Sequence, residues 1–415
     1  MFGLHTDYAR VVHMQDDDVA GGDLTRMDVL AFLGRQGPAS RATVARELDL
    51  SPATVSQVTR RLIHQGVVEP LYFAPSEGGR PGQLLGLVGD AGRAVGAKVA
   101  ADHVVLVDVR LDGQVMATHA EEFDATAESA VDKLLALLSS FLQRGESRLL
   151  GVGVCVPGVV GRPDIGDVDA EVLGWAGMPL GGHLRKGLGV PVLVENDVKA
   201  LAVAERIFGR GRGRPNLVVL TVGRGVGFAS VCNDALQRGS DGGAGEIAHV
   251  VVSPNGRECA CGQRGCLEAY IGTEALADAG RTSGVLKSGD GLDQLRASAD
   301  RGEPRAREVF ARAAQRLAQA VAPVLAALNP DAVLVSGEGV ASWQYWDTSF
   351  RNTLAHRLPH WMRHLPIEVD DWDDTSWARG AAALVLATPF DRNAAAGEQR
   401  PQVLARLHSS SNKRH

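Results

Sequence analysis

No run of apolar residues in this 415-residue chain is long enough to cross a bilayer. The opening stretch, MFGLHTDYARVVHMQDDDVAGGD, lacks a basic start followed by an apolar run, so no secretion signal is visible. These two absences make the cytoplasm the expected location and argue against a membrane partner. Positive charge is not in excess either. The net charge is −6, so any surface for nucleic acid has to be local. No short-period repeat of the solenoid kind is present. Cysteine is scarce, at five residues, and disulfides are disfavoured in the cytoplasm.

What is present is ordinary globular composition, 45% hydrophobic and 22% charged, in a chain long enough for two or three domains. The 49 glycines favour a turn-rich α/β protein with close backbone approaches.

Residues 1–22 read as a loose tail with a solvated Asp16-Asp17-Asp18 run. From 23 to 90 the pattern suits a small DNA-reading domain. Leu24, Met27, Leu30 and Leu33 recur at helix spacing and stop at GRQGP. Ser40 can cap a second helix through Leu48. Ser51-Pro52 starts a third, with serine as N-cap and proline in the first turn. Two short helices joined by DLSP read as helix-turn-helix. The stretch 66–88 then reads as two strands around a Gly/Pro-rich loop, a wing. Residues 51–68 carry no acidic side chain. Thr54, Ser56, Gln57 and Arg60 are the candidates to face a major groove, with Val55, Val58 and Leu62 packing inward. Thr59, Arg61 and His64 are expected at phosphate or solvent. Arg80, between glycine and proline at the wing tip, suits a narrow minor groove.

From 91 to 388 strands alternate with helices, the mark of a layered α/β domain. Val104–Val109, Leu149–Val156, Val192–Val194, Leu217–Val222 and Ala332–Val335 suit buried strands. Ala130–Phe141, Val198–Phe208 and Arg305–Leu328 suit amphipathic helices. Residues 389–415 end polar and are expected to fray.

Three of the five cysteines crowd into eight residues. His249, Cys259, Cys261 and Cys266 give H-x9-C-x-C-x4-C, and three thiolates with one imidazole complete a tetrahedral zinc site. No position would remain for a catalytic water, so one structural zinc per chain is expected, pinning a loop with little apolar content. Cys155 and Cys232 lie alone in apolar runs and read as small buried residues.

The stretch GEIAHVVVSPNGRECACGQRGCLEAY resembles the signature of the ROK family, which joins repressors, uncharacterised frames and sugar kinases. GVGVCVPGVV (151–160), PVLVENDVKALAVAERIFGRG (191–211) and the hairpin running into GAGEIAH resemble further motifs of that family. The resemblance covers roughly 93–388. It implies an actin/hexokinase-like domain of two α/β lobes around a sugar cleft. It also implies hydroxyl-binding roles for Asn196, Asp197, Glu246 and Glu268, with His249 at the cleft and on the zinc. Ala248 stands where the family usually has glycine.

The resemblance includes kinases, and phosphoryl transfer needs a phosphate cradle and a metal. In ROK kinases the domain opens on Asp-x-Gly-Gly-Thr. Here Lys98 stands at the aspartate and Ala100-Ala101-Asp102 replaces the small residues. Arg224 in GRGVG takes a threonine position, and Glu338 enters a third glycine-rich turn. Three altered turns point to a lost ATP site. The expectation is therefore a winged helix-turn-helix joined to a sugar-sensing ROK domain without kinase activity. Such a chain would be a sugar-responsive regulator, a repressor, binding operator DNA as a homodimer or homotetramer. The alternative is a hexose kinase carrying an added DNA-binding domain.

Overall fold

The computed structural model describes residues 25–34, 36–73, 82–145, 147–370, 372–391 and 394–408. The tail at 1–22 and the wing-tip Arg80 lie outside the described residues.

The head is built as the caps suggest. Helix α1 (25–34) precedes strand β1 (Ala39–Ser40), helices α2 (Arg41–Glu47) and α3 (Pro52–His64), and strands β2 (Val68–Phe73) and β3 (Gln83–Leu87). The Ser40 hydroxyl accepts the Thr43 N–H at 3.1 Å, and Ser51 accepts that of Thr54 at 3.1 Å, each satisfying an orphan donor of a first turn. The strands order β1-β3-β2, closing a winged helix-turn-helix. Val44, Val55, Leu62 and Leu85 are fully buried between helices and sheet.

The first lobe opens with β4 (Arg93–Val99), β5 (His103–Arg110) and β6 (Val115–Glu122), then α4 (Ala130–Leu142) and β7 (Leu149–Val156). A small sheet of β8 (Val159–Val160), β9 (Val168–Ala170) and β10 (Trp175–Met178) precedes α5 (Leu180–Leu188), β11 (Val192–Asn196) and α6 (Asp197–Phe208). The main sheet runs β11-β7-β4-β5-β6, with β11, β7 and β4 parallel.

The second lobe holds β12 (Leu217–Val222), β13 (Val226–Cys232) and β14 (Ala235–Leu236), then α7 (Glu268–Ile271), α8 (Thr273–Thr282), α9 (Leu292–Asp300) and α10 (Pro304–Leu328). Strand β15 (Ala332–Ser336), α11 (Asp347–Arg357) and β16 (Ile367–Val369) complete it, in the order β14-β13-β12-β15-β16. Helix α12 (Asp374–Leu386) then returns to the first lobe. It lies on that sheet so closely that a Cβ at Gly96 or Gly153 would sit 1.9 and 1.8 Å from the carbonyls of Ala378 and Ala381. Only glycine fits there.

In both sheets the carboxyl ends of the parallel strands face the crevice between lobes, where open α/β sheets place their ligands. Lys98 is the penultimate residue of β4, Asn196 ends β11, Arg224 follows β12 and Glu338 follows β15.

The polar C-terminus departs from the expected frayed tail. Residues Arg400–His408 form α13, with Val403 and Leu407 fully buried in the same core as α1 and α12. His408 meets Arg26 at 3.0 Å, so this helix ties the head to the first lobe. The apolar residues are too few for a sequence signal; their partners come from elsewhere in the chain. Leu407→Ala should cost about 2–5 kcal/mol through the cavity it leaves, read from a denaturant midpoint. Cys155 is buried as expected, whereas Cys232, at the end of β13, is only half-buried.

Candidate functional site

The residues of the expected sugar cleft form two groups. In the first, Asn196 caps α6. Its side-chain carbonyl accepts the Lys199 N–H at 3.1 Å, and its amide donates to the Gly158 carbonyl at 3.0 Å. Asp197 accepts the Val198 N–H at 2.9 Å with one oxygen and pairs with the Lys98 ammonium through the other. Both side chains of this pair are mostly out of water, 10% and 15% exposed. Lys98 also lies 5.2 Å from the centre of the Trp377 ring. Burial opposes its charge, but Asp197, with a smaller contribution from Glu338, raises its pKa on balance.

The second group is Glu246, His249 and Glu268. The His249 Nδ1 stands 4.0 Å from a Glu268 oxygen. Burial raises the Glu268 pKa, His249 opposes this, and Glu246 adds to it. No hydrogen bond joins the two groups among the described residues. Ala248 is buried in the second-lobe core. Glu268 also borders an open cavity of about 410 Å³ with Arg224, Arg257 and Cys259, beside the cysteine loop.

The ligand atoms of His249, Cys259, Cys261 and Cys266 all lie within 4.8 Å of one another. The Cys259 sulfur is 3.6 Å from His249 Nδ1, and the Cys261 and Cys266 sulfurs are 3.7 Å apart. These are the edge lengths of a tetrahedron around a metal bonded at about 2.0–2.3 Å. Burial, then the neighbouring sulfurs, push the Cys266 thiol up to about 12. A thiolate at that position calls for a cation, so the donor set fits a metal ion.

The three altered turns touch one another. Glu338 accepts the Arg224 N–H at 2.7 Å, and a Cβ at Gly223 would lie 2.2 Å from the Glu338 carboxyl carbon. The Arg224 guanidinium stands 3.5 Å from Asp102, which bonds His103 at 2.7 Å. That bond and Arg224 outweigh desolvation and hold the Asp102 carboxyl below its usual value. Charged side chains thus fill the ends of strands where small residues would leave room for phosphates.

On the head, Gln57, Arg60, Arg61 and His64 are exposed along α3, while Thr54 and Ser56 are half-buried. The Thr54 hydroxyl is engaged with Ser51 at 2.8 Å. Thr59 corrects the expectation of a phosphate or solvent contact. It is fully buried, accepts Arg41 Nε at 2.9 Å and donates to the Val55 carbonyl, so it locks α2 to α3. The sequence carries no signal for Tyr72 and Phe73, 69% and 62% exposed on the wing strand, nor for the Lys98–Asp197 contact, which joins residues 99 apart.

A winged helix-turn-helix docked on a hexokinase-like pair of lobes defines a DNA-binding transcriptional regulator with an attached sensing domain. The ROK family model matches residues 95–388 and the IclR helix-turn-helix domain matches 27–71. The chain belongs to the ROK family. It is 27% identical to the xylose repressor of Bacillus subtilis over 333 residues, covering 78% of this chain and 84% of that one. It is 27% identical to the transcriptional dual regulator NagC of Escherichia coli over 377 residues, covering 86% and 91%. Among solved structures, a ROK family transcriptional regulator described as a homologue of E. coli Mlc superposes with a TM-score of 0.78 at 22% identity, over 94% of this chain and 99% of that one. A ROK glucokinase from Streptomyces griseus, solved with glucose and AMPPNP, superposes with a TM-score of 0.63 at 25% identity, over 71% and 99%.

Proposed function

We propose that this chain is a sugar-responsive repressor whose ROK lobes bind a sugar or sugar derivative and no longer phosphorylate it. The observation that carries the loss of catalysis is the Lys98–Asp197 pair. It puts an ammonium where a kinase of the family has the opening aspartate, and it occupies the Asp197 carboxylate, to which the family resemblance assigns the role of base in the kinases. Asn196, Asp197, Glu246, His249 and Glu268 are the proposed hydroxyl-binding groups, since carboxylates and amides on rigid element ends suit a sugar. The relative named as a xylose repressor supports a sugar effector.

In this reading His249, Cys259, Cys261 and Cys266 hold one zinc ion that shapes the loop leading to Glu268 and performs no chemistry. The head reads operator DNA through α3, with Gln57, Arg60 and Arg61 on its open face and Ser56 and Thr54 at its edge. Arg80 would add the wing contact. Sugar closing the lobes would re-aim the heads of a homodimer or homotetramer, and a mismatch with half-site spacing lowers affinity.

Two experiments test this. Calorimetry with xylose, glucose, N-acetylglucosamine and its phosphate should find a ligand that also shifts operator binding in a gel-shift titration. A coupled assay with Mg·ATP and the same panel should show no turnover; robust phosphorylation overturns the reading. Arg60→Ala should cost about 1–3 kcal/mol of specific operator affinity and leave sugar affinity unchanged.

A further inference from the structure

Glu246 reaches the cleft from a segment with little to hold it. Residues 237–246 follow β14 of the second lobe and form no helix or strand. Yet this segment lies against the first lobe, where two charged side chains engage it. The Lys199 ammonium, 1% exposed on α6, donates to the Gly242 carbonyl. Glu195, 0% exposed on β11, accepts Arg238 Nε at 2.7 Å with one oxygen and the Asn196 N–H at 2.9 Å with the other. Gly242, with φ of +84°, is pressed on the first lobe so tightly that a Cβ would sit 2.1 Å from the Val160 carbonyl.

Burying a lysine and a glutamate is costly unless each is paired, and here each has a partner in this segment. Both sit within three residues of Asn196, and both of their partners lie in the segment that ends at Glu246. We infer that residues 237–246 are a strap thrown from the second lobe onto the first, and that Glu195, Lys199 and Arg238 are positioning residues that hold it. Without these anchors the two groups of the cleft would lose their common reference, because no direct hydrogen bond joins them among the described residues. The inference deepens the sugar-sensing reading and rests on it for its ligand, but the strap itself does not depend on any ligand.

The test therefore has two arms on full-length protein. Hydrogen exchange of Lys199→Met and of Arg238→Gln should show faster exchange across 237–249, with strands 149–156 and 217–222 as protected as in wild type. Arg238→Lys should restore much of the protection. Unchanged exchange in the strap overturns the inference, whatever sugar does. In the second arm, whichever sugar of the panel binds wild type should bind Arg238→Gln about tenfold more weakly, with metal content unchanged and strands 149–156 and 217–222 still protected, and Arg238→Lys should restore much of the affinity. Equal affinity overturns the positioning role. If no sugar of the panel binds wild type, the sensing reading fails while the exchange arm still decides the strap.

Discussion

Chelating the metal, or replacing one ligand by Cys261→Ser, should release the ion and melt the loop from Val250 to Cys266. The loop has little else to stand on. From Pro254 to Arg264 nearly every residue is exposed or half-exposed, and no buried apolar side chain occurs in that stretch. Its internal ties are turn and bridge hydrogen bonds, such as Cys259 N–H to the Gln263 carbonyl and Gly265 N–H to the Arg257 carbonyl, with the exposed Arg264–Glu258 pair; the Arg257 N–H ties it outward to the Tyr270 hydroxyl. A structural site of three cysteines and one histidine can contribute on the order of 10 kcal/mol, far more than those bonds. Elemental analysis should find one metal per wild-type chain and almost none in the variant. The sensing domain should melt at a markedly lower temperature. Exchange should rise first in 250–266, and sugar affinity should fall because His249 and Glu268 border the same loop. Operator binding by the head should persist, since no contact links α3 to this loop among the described residues. A variant that keeps its full metal content and native melting temperature would show that another residue completes the site.

Local signals carried much of this molecule. Ser40 and Ser51 announced two helix starts because capping is decided within four residues. The buried strands were legible as β-branched runs bounded by turn residues, and the cysteine cluster by its spacing alone. The illegible parts share one property: their meaning depends on a partner far along the chain. Thr59 reads as a polar residue on a helix surface until Arg41 is placed beside it. The C-terminal helix shows two buried apolar residues in nine, and only α1 and the first-lobe sheet explain them. Lys98 departs from the kinase pattern in the sequence itself, but its target is legible only once β4 and β11 lie in one sheet. Glu195 and Lys199 give no sign in the sequence that they are buried, because their partners sit in a strap from the other lobe.

Lys98→Met should destabilise the protein by about 3–5 kcal/mol at neutral pH, the range for removing one partner of a buried ion pair. The methionine can fill the space beside Trp377, so the loss comes from Asp197, left charged, largely buried and without its ammonium. Lys98→Met/Asp197→Asn should recover most of that loss, because it removes the stranded charge; a double-mutant cycle reads the coupling directly. The pH dependence has a definite sign. The folded-state pKa of Lys98 lies above its ordinary value of 10.5, so its pairing stabilises the fold fully below that pH and is lost as pH rises through the folded value. Wild type should therefore lose stability in that alkaline window, while Lys98→Met should lack this component. Neither variant should gain phosphoryl transfer, because Asp102, Arg224 and Glu338 still fill the neighbouring turns. A Lys98→Met protein as stable as wild type would mean that the pair is not what holds these two strand ends together, and the main structural argument against catalysis would go with it.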